Sequence, residues 1–394
     1  MTPTLLIDID NTLLANDMDT FLPGYLQALS KHLAPYADSR RMIPALLRAT
    51  DEMSANQRPD CTLKEVFDSR FYPELGLSGG ELQEEIETFY GQVFPKLKAL
   101  TTPYPQAVRL VEEALRRGYR LVVATNPLFP RAAILQRLAW AGLSVDDYPF
   151  DLISSYETFH FAKPNPAFLA ECLARVGWPE GPVVVLGDSV ENDIEPARKL
   201  GLAFYQVGPE DPERSLEDFF PWFDRSTPEA LEPNYSLPHG LLAILRSSPA
   251  VLEHLSRPLA PGAWTIRPAR DEWSLVEIIC HLRDVDEEVN LPRLIKVVNE
   301  ANPFIPGMVT DPWAEERDYL HQNGPAALGR FIAVRVKLLD RLLALPPEGW
   351  QRSARHAIFG PTSLQELISI QASHDRLHVQ QAVQVIRSAS QLQH

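Results

Sequence analysis

The sequence predicts a doubly wound α/β domain followed by an all-α four-helix bundle. In the first half, short apolar runs alternate with helix-like stretches, which is typical of a parallel sheet with helices on both faces. After a stretch rich in proline and acidic residues, the pattern changes to long amphipathic helices. A length of 394 residues agrees with two or three domains.

Short apolar runs, each followed by polar residues, predict the strands of the first domain. We place these strands at 5–7, 120–124, 152–155, 183–186 and 203–207. The region 15–100 interrupts this alternation after the first strand and shows only helix-like periodicity. It therefore predicts a helical insert over the sheet.

The change of pattern gives the predicted domain boundaries. We place the first domain at 1–223, a linker at 224–237 and the second domain at 238–394, which we expect to be purely helical. Two helices are predicted to begin at capping boxes, Ser274 with Glu277 and Ser363 with Glu366. The other two span 240–255, with a break expected at Ser248–Pro249, and 325–345.

Charge and cysteine content exclude several classes of protein. Residues 1–237 carry a net charge of −14 and residues 238–394 a net charge of −1, so neither half offers the basic face that nucleic-acid binding needs. No apolar run is long enough for a membrane helix, and we expect no membrane partner. The three cysteines form no metal or redox spacing, so we expect reduced thiols in a cytoplasmic protein.

Polar residues cluster where the predicted parallel strands end. They are Asp8 and Asp10, Thr125 and Asn126, Lys163, and Asp188 and Asp193. In open parallel sheets the ligand crevice lies at the carboxyl ends of the strands, so we expect these residues to converge. Several carboxylates in one crevice repel each other, and a divalent cation removes that conflict. Oxygen ligands of this kind suit Mg²⁺.

The spacing of Asp8 and Asp10 indicates the chemistry. On an extended segment, side chains at i and i+2 point the same way. One carboxylate can attack an electrophile, while the other gives a proton to the leaving oxygen and later takes one from water. Phosphoryl transfer fits this arrangement, because Lys163, Thr125 and a metal ion can hold the negative charge of the transition state.

The same residues resemble the four motifs of the haloacid dehalogenase (HAD) superfamily of phosphatases, over about residues 1–222. The matching segments are Asp8-Ile-Asp-Asn-Thr-Leu13, Thr125-Asn126, Lys163-Pro-Asn-Pro166 and Gly187-Asp-Ser-Val-Glu-Asn-Asp193. The resemblance implies a catalytic nucleophile, Asp8, a general acid and base, Asp10, and phosphate-binding residues, Thr125, Asn126 and Lys163. It also implies Mg²⁺ on Asp8, Asp188, Asp193 and the Asp10 carbonyl, and a mobile cap at 15–100. Because dehalogenases of the family generally lack an acid at the position of Asp10, we expect a phosphatase of a small phosphorylated metabolite.

Three histidines of the second domain fall near the apolar faces of two helices. His374 and His378 lie one turn apart on one helix, and His281 lies between apolar residues on another. The segments Glu272–Leu282 and His374-Asp-Arg-Leu-His378 resemble the DinB-like superfamily of four-helix bundles, over about residues 238–390. This resemblance implies a three-histidine site for a transition metal, with Zn²⁺, Ni²⁺ or Fe²⁺ as candidates.

The sequence leaves the role of the bundle open. One alternative is a metal-dependent thiol transferase, which some relatives of that superfamily are. The other is a module for dimerisation or regulation, because amphipathic helices readily form symmetric pairs. The identity of the substrate cannot be predicted from the sequence, although Arg48, Arg58 and Lys64 of the insert are candidates to contact it.

Overall fold

The computed structural model describes residues 1–208 and 215–391. The chain divides into two compact units. The first comprises residues 1–172 and 179–233, and the second comprises residues 173–178 and 234–394. Within the described residues, no helix is long and apolar enough to cross a membrane.

Strands of the first unit form a parallel sheet and a small antiparallel pair. In chain order they are β1 (Thr4–Ile7), β2 (Leu14–Ala15), β3 (Thr102–Pro103), β4 (Arg120–Val123), β5 (Leu152–Ile153), β6 (Val183–Gly187) and β7 (Ala203–Gln206). The parallel sheet has the order β5-β4-β1-β6-β7, which confirms the predicted doubly wound fold. Because β1 is central, its carboxyl end lies between those of β4 and β6.

Helices pack around this sheet and form an insert. They are α1 (Met18–Leu33), α2 (Ser39–Ser54), α3 (Leu63–Leu75), α4 (Gln83–Thr88), α5 (Pro105–Arg116), α6 (Arg131–Trp140), α7 (Pro166–Arg175), α8 (Glu195–Leu200), α9 (Phe219–Arg225) and α10 (Pro228–Leu231). Helices α1 to α4 form the insert, which we call the cap, between the paired strands β2 and β3. Asp17, Asp38 and Thr62 begin its first three helices, each accepting a hydrogen bond from a free backbone N–H group.

The region 224–237, predicted as a linker, contains local structure. Helix α9 ends at Arg225, and the single turn of α10 follows. Leu231 is buried in the apolar core of the first unit, which anchors this part of the chain. The boundary between the two units, at residues 233 and 234, falls inside the region.

The second unit is built on four long helices, as predicted. Its elements are α11 (Pro238–Ser256), α12 (Leu275–Val285), α13 (Leu291–Asn299), β8 (Phe304–Ile305), α14 (Trp313–Glu316), α15 (Gly324–Leu343), β9 (Ser353–His356), β10 (Gly360–Ser363) and α16 (Leu364–Gln391). Helices α11, α12, α15 and α16 pack against one another as a bundle. Both predicted capping boxes are present, at Ser274 with Glu277 and at Ser363 with Glu366.

Two expectations for the second unit were wrong. The unit is not purely helical, because β8, β9 and β10 form a small sheet in the order β10-β9-β8. These strands are two to four residues long, too short for a period-two pattern to stand out in the sequence. In addition, α11 is not broken at Ser248–Pro249 but continues to Ser256.

Arg335 explains why α11 continues through its proline. Pro249 has no N–H group, so the carbonyl of Leu245, four residues earlier, loses its partner within the helix. Arg335 Nη1 donates to that carbonyl at 2.9 Å. A side chain from α15 therefore replaces the missing hydrogen bond, which no local reading of the sequence could reveal.

The same arginine lies at the centre of a buried ion cluster. Its Nε donates to Asp286 Oδ2 at 2.7 Å, and its Nη2 donates to Asp375 Oδ1 at 3.1 Å. All three side chains are at most 1% exposed. Burial raises the pKa of Asp286, while the guanidinium of Arg335 opposes that rise. Since Asp375 follows His374 directly, the cluster also fixes the helix turn that carries one of the three histidines.

We expect Arg335→Met to lower the free energy of unfolding by about 3–5 kcal/mol, because it removes the cation beside two buried carboxylates and the hydrogen-bond donor of one carbonyl. Arg330→Met is the matched control, since Arg330 pairs with Glu287 on the exposed side of the same helix. Urea unfolding of the full chain measures both variants. Equal stability of the two variants would show that the buried cluster does not hold the bundle.

Candidate active site and candidate metal centre

Three aspartates converge at the carboxyl end of the parallel sheet. Asp8 follows β1 and Asp188 follows β6, and these two strands are hydrogen-bonded neighbours. One carboxylate oxygen of each, with one of Asp193, lies within 4.8 Å of the others. Gly187 permits this approach, because a Cβ atom there would lie 2.2 Å from the Asp193 carboxyl group. The predicted convergence of strand ends therefore brings these residues together.

Lys163 lies in the centre of this acidic group. Its buried Nζ donates to Asp8 Oδ1 at 2.7 Å and to Asp193 Oδ1 at 2.5 Å. The loop that carries it is held by Asn126, whose Oδ1 accepts a hydrogen bond from the Lys163 N–H at 3.2 Å. Thr125 is buried after β4, and its carbonyl accepts a hydrogen bond from Ser154. The structure thus brings Lys163 into contact with Asp8, and Asn126 holds the backbone of the lysine in place.

The charges of this group are unbalanced. Burial raises the pKa of Asp8 to about 8 although Lys163 opposes the shift, and Asp193 and Asp10 raise it further. Burial, followed by the charge of Asp193, raises the pKa of Asp188 to about 6. Burial lowers the pKa of Lys163, but the two carboxylates outweigh this effect and hold the pKa above its ordinary value. A single ammonium group does not compensate three carboxylates, so the oxygen ligands fit a hard divalent cation such as Mg²⁺.

Asp10 lies at the edge of this group, with its carboxylate held by two other residues. Its Oδ1 accepts from Asn16 Nδ2 at 2.7 Å, and its Oδ2 accepts from Arg137 Nη1 at 2.5 Å. Its side chain is 21% exposed, so it remains open to the crevice. Directly after Asp10 the chain leaves the extended form, since Asn11 has φ of 55°, a conformation that asparagine tolerates better than most residues.

Arg137 and Asn16 are the residues of this site that the sequence analysis missed. Arg137 is 1% exposed on α6, and its Nε and Nη2 have no hydrogen-bond partner within the described part of the chain. Its sequence signal is an arginine on the apolar face of a helix, three residues after Ile134 and just before Leu138. Asn16 gives no such signal, because a single asparagine after a strand is common in turns.

In the second unit, the three predicted histidines converge. His374 Nε2 lies 3.1 Å from the Nε2 of both His281 and His378. Burial lowers the pKa of His281 to about 3 and the pKa values of His374 and His378 to about 4. The rings are therefore neutral at neutral pH, and neutral imidazole is the form that binds metals.

The surroundings of the histidines also fit a metal ion. His378 Nδ1 donates to Gln381 Oε1 at 2.7 Å, which leaves the Nε2 lone pair directed at the other two rings. Trp273 stacks on His378, with 7° between the planes and 5.6 Å between the centroids. A cavity of about 540 Å³ lies beside His374 and His378, so a bound ion would keep room for water or substrate.

Two known protein families match the chain, one in each half of the sequence. The profile described as haloacid dehalogenase-like hydrolase matches residues 2–201, and the DinB superfamily profile matches residues 244–382. The chain belongs to the haloacid dehalogenase-like hydrolases. Its first unit carries that hydrolase domain, and its second unit carries a DinB-like domain, which confirms the fusion that the sequence motifs imply.

Several relatives of this hydrolase are phosphatases. Glyceraldehyde 3-phosphate phosphatase of Methanocaldococcus jannaschii is 34% identical over 28% of this chain and 46% of its own length. The match thus spans about half of that relative. Phosphoglycolate phosphatase of Mesorhizobium japonicum is 25% identical over 58% of this chain and 95% of its own length.

Solved structures similar to each unit include a HAD phosphatase from Thermococcus onnurineus and YfiT from Bacillus subtilis. The HAD phosphatase is 20% identical to this chain. The match covers 57% of this chain and 98% of the phosphatase, with a TM-score of 0.37. YfiT, described as having an unusual four-helix bundle topology, is 15% identical to this chain. The match covers 40% of this chain and 90% of YfiT, with a TM-score of 0.36.

We expect Asp188→Asn to stabilise the metal-free hydrolase near neutral pH by about 1–2 kcal/mol. The carboxylate of Asp188 has a raised pKa in the fold, so its contribution to stability is lost as pH rises from 3.8 through about 6. Removing the charge should abolish this loss and also most of the stabilisation by Mg²⁺. Thermal unfolding with EDTA and with Mg²⁺ measures both effects, with the exposed Asp147→Asn as control. Equal Mg²⁺ stabilisation of wild type and Asp188→Asn would contradict the cation site.

Proposed function

We propose that the first unit is a Mg²⁺-dependent phosphatase that hydrolyses a small phosphate monoester through an aspartyl-phosphate intermediate. The observation that carries this proposal is the buried contact of Asp8 with Lys163, beside the carboxylates of Asp188 and Asp193. Two relatives, a glyceraldehyde 3-phosphate phosphatase and a phosphoglycolate phosphatase, support a small phosphorylated substrate. Bound Mg²⁺ would be held by Asp8, Asp188, Asp193 and the Asp10 carbonyl, and would withdraw charge from the phosphoryl oxygens.

The side chains divide the reaction into two displacements. Asp8 uses its carboxylate oxygen to attack phosphorus, and the bond from phosphorus to the alcohol oxygen breaks. Asp10 gives its proton to that oxygen as the alcohol leaves. Asp10 then takes a proton from water, which attacks the phosphorus and releases Asp8. Lys163 stabilises the transferring phosphoryl group in both steps. Thr125 and Asn126, which follow β4, help to bind that group.

Asp10 favours this reaction over dehalogenation. A halide leaves without a proton, so a dehalogenase needs no acid at this position. Here Asp10 is held by two donors and remains partly exposed to the crevice. This arrangement is suited to a group that exchanges protons with an alcohol and with water.

We expect Asp8→Asn to lower turnover of a small phosphate monoester more than 10³-fold, because the amide cannot form the acyl phosphate. Asp10→Asn should lower kcat by about 10²–10⁴-fold through the loss of proton transfer. Steady-state release of inorganic phosphate with Mg²⁺ measures these rates, and Asp147→Asn serves as the exposed control. Turnover by Asp8→Asn equal to wild type would remove this residue as the nucleophile.

Arg137 is a positioning residue for Asp10 in this proposal. We expect Arg137→Met to lower kcat by about ten- to a hundredfold, a part of the general-acid contribution, with little change in KM. Arg137→Lys should recover part of kcat, because it restores one charged donor. Arg131→Met, at an exposed position of the same helix, is the control. A rise in KM at unchanged kcat would instead assign Arg137 to substrate binding.

As a second candidate function, we propose a transition-metal centre at His281, His374 and His378, with Zn²⁺, Ni²⁺ or Fe²⁺ as the ion. The convergence of three neutral imidazoles supports it, with His374 Nε2 at 3.1 Å from the Nε2 of each of the other two, because three such nitrogens are a usual ligand set for these ions. A metal-dependent thiol transferase activity and a role of the bundle in dimerisation remain alternatives. A cytoplasmic location agrees with three cysteines that form no disulfide within the described residues, but it stays a prediction.

We expect the purified full chain to hold about one equivalent of transition metal, and His374→Ala to lose most of it. His321→Ala is the matched control, because His321 is an exposed histidine of the same unit. Elemental analysis after dialysis against a weak chelator measures the content. Equal metal content in His374→Ala and wild type would contradict the centre.

A further inference from the structure

The cap encloses an apolar cavity of about 210 Å³ within the first unit. Its cap wall includes Leu22, Tyr25 and Leu29 of α1, Leu46 and Thr50 of α2, and Phe71 of α3. The opposite wall is formed by residues 128–130 of the sheet domain, and Tyr156 also lines the cavity. Among the described residues, the lining contains no charged side chain.

Polar atoms of the lining are largely engaged with one another. The hydroxyl groups of Tyr25 and Tyr90 lie 2.9 Å apart and form a buried hydrogen bond. The hydroxyl of Thr50 donates to the carbonyl of Leu46 at 2.9 Å. A charged group entering this space would therefore lose its water without gaining an ionic partner, which is costly.

The cavity borders the residues that hold Asp10. The ring of Phe129, in its wall, lies 4.9 Å from the guanidinium of Arg137, which donates to Asp10. Met18, also in its wall, has its sulfur 3.9 Å from Asn16 Nδ2, which donates to the other oxygen of Asp10. Two separate walls thus contact the two donors of the group that protonates the leaving alcohol.

The cations of the cap do not change this environment. Arg48, Arg58 and Lys64, candidates from the sequence to contact the substrate, form ion pairs with Glu74, Asp60 and Asp68 respectively. None of the three lines the cavity. The cap therefore provides an apolar space, rather than a positive charge, beside the position of the leaving alcohol.

We infer that the substrate is a phosphate monoester whose alcohol carries an apolar ring or chain, which fills the cavity under the cap. This inference rests on the proposed phosphatase activity and adds the chemical class of the leaving group. A cavity of about 150 Å³ is known to hold benzene, so the present volume is sufficient for one ring or a chain of about six carbons.

Linear alkyl phosphates test the inference directly, because their alcohols are of similar basicity and differ mainly in apolar length. For the wild-type protein with Mg²⁺, kcat/KM should rise about fourfold per methylene group from ethyl to hexyl phosphate, as each group leaves water. Phosphoglycolate, whose tail is a carboxylate, should be a poorer substrate than hexyl phosphate. Equal kcat/KM for ethyl and hexyl phosphate, or a preference for phosphoglycolate, would overturn the inference and leave the phosphatase intact.

A variant that fills the cavity gives a second measurement. Thr50→Phe should lower the ratio of kcat/KM for hexyl to ethyl phosphate by at least about tenfold, which corresponds to between one and two methylene groups. The ratio does not depend on the fraction of folded enzyme. Asp51→Phe adds the same bulk on the exposed side of α2 and should keep the wild-type ratio. An unchanged ratio in Thr50→Phe would contradict the cavity as the binding site, whereas absent turnover of every ester would contradict the phosphatase itself.

Discussion

The contact of Lys163 with Asp8 and Asp193 is the interaction on which the candidate active site of the first unit depends. It joins the loop after β5 to the segments that follow β1 and β6, so it ties the ends of three strands together at one point. Burial makes each charge costly, and the glycine at position 187 lets Asp193 approach closely enough to share the lysine. The remaining negative charge is the reason why we propose a divalent cation at this site.

Around this contact, the fold separates the tasks of the proposed reaction. In that proposal the sheet domain supplies the nucleophile, the lysine and the cation ligands, all from segments that follow parallel strands. Asp10, the proposed acid and base, is held from another side, by Asn16 before the cap and by Arg137 on α6. The apolar walls of the cap begin at these two donors. In our proposals, recognition of the leaving alcohol and its protonation would therefore share the same few residues.

How much the sequence could predict depends on the range of the interactions. Strand ends and capping boxes are local patterns, so the alternation of strands and helices in the first domain could be expected. The convergence of Asp8 and Asp188, and of the three histidines, could be expected as well. Interactions between distant segments could not. The partner of Arg137 lies 127 residues away, and the hydrogen bond from Arg335 to the carbonyl of Leu245 spans 90 residues. The strands β8 to β10 were missed because they are stabilised by pairing rather than by their own pattern.

The central claim is that Asp8 forms a covalent bond to phosphorus, and trapping that bond tests it most directly. The Asp10→Asn variant would be mixed with substrate and Mg²⁺, quenched in acid within the first turnover, and digested for mass spectrometry. We predict the added mass of one phosphoryl group on the peptide that contains Asp8, removable by hydroxylamine as expected of an acyl phosphate. Substrate turnover without any label on that peptide, or a label on another residue, would contradict the account.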